Sequence, residues 1–63
     1  MAVREILKML RKDGWFVVRQ TGSHRQMHHP TKPGTVTVAG KLTKTLHPKV
    51  LASILSQSQL EEP

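Results

Sequence analysis

Trp15-Phe16-Val17-Val18-Arg19-Gln20-Thr21-Gly22-Ser23-His24-Arg25-Gln26-Met27-His28-His29 is the stretch that decides how the chain folds. Its first six residues concentrate aromatic and β-branched side chains, a run too short and too stiff at χ1 for a helix. Thr21-Gly22-Ser23 then supplies turn residues, so a strand, a hairpin turn and a second strand are predicted. In the second strand a period of two sets His24, Gln26 and His28 on one face and Arg25, Met27 and His29 on the other. Met27 is the one clearly apolar member, so its face is expected to look toward the core and the His24 face toward solvent.

Upstream of this hairpin, Val3, Ile6, Leu7 and Leu10 fall at i, i+3, i+4 and i+7, the spacing of one helix face. Lys12-Asp13-Gly14 supplies a cation in the last turn and a glycine able to end the helix. Downstream, Pro30-Thr31-Lys32-Pro33-Gly34 breaks regular structure, and Thr35-Val36-Thr37-Val38 reads as a third, short strand hiding Val36 and Val38. Ala39 to Thr45 is expected to be a flexible basic connection. His47 then caps a second helix begun by Pro48, with Leu46 and Leu51 as a hydrophobic staple and Val50, Leu51, Ile54 and Leu55 as its apolar stripe. Leu60 is expected to complete that stripe.

The predicted order is helix, three strands, helix. Two amphipathic helices and a one-sided antiparallel sheet bury their apolar faces most simply as two layers, an α+β fold with both helices on the same face. Residues 1–60 make the single domain, and 61–63 are expected to fray.

Composition narrows the partners. Ten Lys and Arg stand against four Asp and Glu, a formal net charge of +6, and two of the acids are Glu61 and Glu62. Such a field attracts polyanions, with nucleic acid first among them. The chain has no cysteine, which rules out a disulfide framework and a thiolate metal site and suits a reducing cytoplasm. Its N-terminal stretch is interrupted by charge every three or four residues, so neither a signal peptide nor a membrane span is expected.

Val3-Arg4-Glu5-Ile6, Lys12-Asp13-Gly14-Trp15, Arg19-Gln20-Thr21-Gly22-Ser23-His24, His29-Pro30 and Val36-Thr37-Val38 together resemble the HicA toxins, over nearly the whole chain. The resemblance implies a fold like that of double-stranded RNA-binding domains, an mRNA-cleaving activity, a HicB-like antitoxin as partner, and a catalytic role for His24. The sequence departs from the family pattern after the third strand. There Ala39-Gly40-Lys41 stands where a proline and a histidine commonly follow the valines, so any role for that second histidine is absent.

The chemistry asked of His24 is modest. RNA carries its own nucleophile, the 2′-hydroxyl, and an imidazole titrating near neutrality serves as general base or acid. Arg19, Arg25 and Lys32 are the nearby cations able to hold phosphate, and Ser23, Gln26 and His28 are further candidate RNA contacts. Gly22 is expected to free the backbone of the turn. His28 lies four strand residues from His24, roughly 13 Å by strand rise, too far to share one phosphate. A two-metal site needs several acids, so a metal-independent reaction with no cofactor is expected. His24 and His28 would share a metal only if this stretch were helical, which the strand signals and Pro30 oppose. Trp15 is read as core. The alternative function is a non-catalytic RNA-binding module with the same charge and open face; a DNA-binding helix-turn-helix is disfavoured, because the middle of the chain reads as strands.

Overall fold

The computed structural model describes residues 1–60; the expected fraying of 61–63 lies outside them. Helix α1 spans Val3–Asp13, and strands β1 (Phe16–Thr21), β2 (His24–His28) and β3 (Val36–Val38) precede helix α2 (Pro48–Gln57). The sheet is antiparallel with β2 at its centre. Val3, Ile6, Leu7 and Leu10 of α1, Ile54 and Leu55 of α2, and Trp15, Met27, Val36, Val38 and Leu46 form one buried core. Both helices therefore cover the same sheet face, as the alternating pattern predicts. Burying each large aliphatic side chain stabilises the fold by about 1.5–3 kcal/mol before entropy is counted.

Element ends shift slightly from the sequence reading. Trp15 precedes β1 instead of opening it, and Thr21 pairs with His24, which leaves Gly22 and Ser23 as a two-residue turn. Gly22 takes φ +58 at the first central position, where such a hairpin turn requires a positive value. Val50, expected in the apolar stripe, is instead 48% exposed and lines an open groove with Thr37, Ser53 and Gln57.

Residues 39–45 are not a free linker. Lys44 and Leu42 carbonyls accept from the Val3 and Arg4 amides at 2.9 and 3.0 Å, and the Leu46 amide donates to the Met1 carbonyl at 2.9 Å. Helix starts leave amides without intrahelical partners, and this segment supplies acceptors for two of them. At the other end of α1, Gly14 at φ +110 closes the helix: its amide reaches the Arg11 carbonyl and the Trp15 amide the Leu10 carbonyl, both at 3.0 Å. Helix α2 ends the same way, with Gln59 at φ 55 and the Leu60 amide on the Leu55 carbonyl at 3.0 Å. Leu60 packs against the core, as expected.

A clasp ties these helix ends to the loop after β2. The Nδ1 of His29 accepts from the amides of Thr31 and Lys32, each at 3.1 Å, which leaves Nε2 as the N–H that donates to the Asp13 carbonyl at 2.6 Å. The His29 ring meets Trp15 edge-on at 5.3 Å. The Lys32 ammonium donates to the Asp13 carboxylate at 2.6 Å and to the Ser58 carbonyl at 3.2 Å. The buried Trp15 indole N–H leans toward the same carboxylate without reaching hydrogen-bond geometry.

Two outcomes follow. A Cβ at Gly14 would stand 2.8 Å from His29 Nε2 on a backbone that L side chains rarely adopt. Gly14→Ala is therefore expected to cost about 2 kcal/mol or more, read by urea denaturation. The Lys32 hydrogen bond, joined by the charge of Lys32, holds the Asp13 carboxyl below its ordinary 3.8 against partial burial. A depressed carboxylate stabilises fully above its unfolded value and loses that contribution as pH falls through its folded one. The stability difference between the native chain and Asp13→Asn should accordingly shrink as pH is lowered below 3.8, measured by denaturation across acid pH.

Candidate active site

The pleat and the register decide which side chains meet on the uncovered face. Paired residues of antiparallel strands point the same way, so Thr21 with His24, Arg19 with Gln26 and Thr37, and Phe16 with His28 form three rows there. On the covered side, Met27 pairs with Val17 and Val36, and Arg25 with Gln20 and Val38. A bulge at Val18 reconciles the two ends of β1. Without that extra residue Val17 and Arg19 would share a face; with it Val17 turns inward and Arg19 outward. The run from Trp15 to Gln20 concealed this irregularity, because a bulge leaves no compositional mark.

His24 opens the central strand directly after the Gly22-Ser23 turn and is exposed. It is the one histidine whose side chain forms no hydrogen bond among the described residues. His28 Nε2 is 3.0 Å from Thr35 Oγ1, His29 is locked in the clasp, and His47 Nδ1 caps α2 by accepting from the Lys49 amide at 3.1 Å. Arg19 lies diagonally across from His24 through the Gln26 row, and both are exposed. Gln26 and His28 share this face, and Ser23 adjoins it in the turn.

The other two cations singled out in the sequence do not join them. Arg25 is 8% exposed on the covered side, where its Nη1 donates to the Ser23 carbonyl at 3.1 Å and the Gly40 carbonyl at 3.0 Å. Lys32 serves the clasp. Both assignments to RNA came from proximity along the chain, which ignores the distant partners Gly40 and Asp13 that take these side chains. Arg25 instead positions the turn before His24 by tying it to the segment after β3. Gly40 completes the link, its amide donating to the Ser23 carbonyl at 3.3 Å. Beside Ser23 this chain thus places Gly40, with no side chain to act alongside His24, and Lys41 follows as an exposed cation, read from the sequence only as part of a basic connection.

Among the described residues no three His, Asp or Glu side chains converge as metal ligands. Among the same residues no helix is long and apolar enough to cross a membrane.

These features define a small basic α+β domain of the double-stranded RNA-binding-domain type of layout, with one unengaged imidazole on its open polar face. The chain matches the family described as HicA toxin of bacterial toxin-antitoxin over residues 3–60, and it belongs to that family of toxin–antitoxin proteins. No curated protein matches it.

Arg25→Ala removes two charge-assisted hydrogen bonds and is expected to lower stability by about 2 kcal/mol, seen as a lower denaturation midpoint.

Proposed function

We propose that the chain is an endoribonuclease toxin that cuts mRNA by metal-independent transesterification, with His24 as general acid and base. The observation that carries this reading is the sorting of the histidine rings: three hydrogen-bond within the fold, and His24, exposed on the open face with Arg19, is the one whose ring has no hydrogen-bond partner among the described residues.

In the reaction the His24 imidazole takes the proton of the 2′-hydroxyl. The freed oxygen attacks the adjacent phosphorus, the bond to the 5′-oxygen breaks, and that oxygen takes the proton from the His24 imidazolium, directly or through water. The products are a 2′,3′-cyclic phosphate and a 5′-hydroxyl. Arg19 offers a planar pair of donors to the phosphorane, whose charge exceeds that of the ground state. Ser23, Gln26 and His28 contact the flanking RNA, while Gly22 sets the turn and Arg25 holds it. The two acids among the described residues are engaged elsewhere and apart from each other: Asp13 is bound to Lys32, and Glu5 accepts from the Ala2 amide.

Membership of a toxin–antitoxin family entails an antitoxin partner. On a chain of charge +6 we expect a HicB-like protein with an acidic face that covers His24 and Arg19 in the cytoplasm, associating faster at low salt.

Incubating purified protein with a synthetic transcript in excess chelator tests the mechanism. The native chain should leave cyclic-phosphate ends, and His24→Ala should cut about 10²–10⁴-fold more slowly while still binding RNA. Undiminished cleavage by His24→Ala would contradict the role of His24. RNA binding without cleavage by the native chain would leave a non-catalytic RNA-binding module.

A further inference from the structure

Most of the cations that this mechanism leaves unused lie along α1 and the loop against its start. Arg4, Lys8, Arg11 and Lys12 are exposed at i, i+4, i+7 and i+8, which covers an arc of about 100° on the helix surface. The buried stripe of Val3, Ile6, Leu7 and Leu10 lies on the other side. The helix's own acids do not neutralise the arc. Asp13 is taken by Lys32 and His29, the Glu5 carboxylate accepts from the Ala2 amide at 3.3 Å, and none of the four cations forms an ion pair among the described residues. Arg4 with Lys8 and Lys8 with Lys12 are like charges one turn apart, an arrangement that destabilises a helix. Arg11 and Lys12 suit the C-terminal end of the helix, Arg4 and Lys8 do not, and a bound polyanion would relieve the crowding.

Backbone contacts join the arc to His24. The Gly40 amide donates to the Ser23 carbonyl at 3.3 Å, so residues 40–44 begin against the turn that precedes His24. The same segment ends against α1, where the Val3 and Arg4 amides bond to the Lys44 and Leu42 carbonyls. Exposed Lys41 and Lys44 stand between the two. Cations thus succeed one another from the hairpin turn, over the loop, to Arg4 and a further twelve or so ångströms along the helix, about 1.5 Å per residue.

We infer that this is a second RNA-binding element, a phosphate track that holds single-stranded RNA beyond the bond being cut. The inference rests on the reading of RNA as the ligand. Because the first α1 amides are already bonded to loop carbonyls, the track acts through side-chain charge alone. It therefore reads backbone and not base, and its strength falls steeply with salt.

The test measures binding of a labelled single-stranded RNA at several salt concentrations, using the full chain with His24→Ala so that the RNA stays intact. Each lost contact lowers the slope of log affinity against log salt by about 0.7, so Lys8→Gln, Arg11→Gln and Lys12→Gln together should lower it by about two. The charge-preserving set Lys8→Arg, Arg11→Lys and Lys12→Arg should keep the parental slope. Lys41→Gln with Lys44→Gln provides an independent pair distant from the helix interior, with an expected decrease of about 1.4. Unchanged slopes in both neutralised proteins would overturn the track, whether or not the native chain cuts RNA. An unchanged slope combined with weakened antitoxin binding would also overturn it, and would assign the surface to the protein partner. If the slopes fall as stated but the native chain cleaves nothing, the track stands and the nuclease reading fails.

Discussion

Two short helices can cover one face of a three-stranded sheet, and the described residues 1–60 hold no further helix or strand with which to cover the other. Every assignment of side chains follows from that constraint. Met27, Val36 and Val38 alternate inward against α1 and α2, and the pleat sends His24, Gln26, His28 and Thr37 outward by the same period. The polar face is thus a consequence of how the core is made. Small domains spend most of their apolar residues on a single core, which here lies on one side of the sheet.

The same economy explains why the histidines have such different duties. His29 ties the end of α1 to the loop after β2 through three backbone partners, Asp13, Thr31 and Lys32, and His47 replaces an amide's missing acceptor at the start of α2. Each is fixed in place by bonds that use its ring nitrogens. His24 sits in a turn fixed by others, chiefly by the Arg25 guanidinium on the Ser23 and Gly40 carbonyls. An imidazole on a held backbone with free ring nitrogens is suited to proton transfer, because nothing must be broken before it can act.

Local chemistry was legible in the sequence and distant pairing was not. The i, i+3, i+4, i+7 pattern located α1, Gly14 its end, His47-Pro48 the start of α2, and strand alternation the face of His24, because each depends on neighbours a few residues away. The bulge at Val18 escaped, since inserting one residue in a β-branched run changes no pattern. Arg25 and Lys32 looked like phosphate ligands because their partners lie fifteen and nineteen residues away along the chain. The 39–45 segment looked loose for the same reason: its carbonyls cap a helix that begins at Val3. Arg19 emerged as the cation beside His24 only once the register was known.

The central claim is that the unengaged ring of His24 lies on the RNA-binding side of this fold, and histidine-ring NMR during titration with an uncleavable 2′-deoxy oligonucleotide tests it most directly. The account predicts that the His24 ring signals shift on binding while those of His29 and His47, held within the fold, stay in place. Unmoved His24 signals in a protein that binds the oligonucleotide would contradict it.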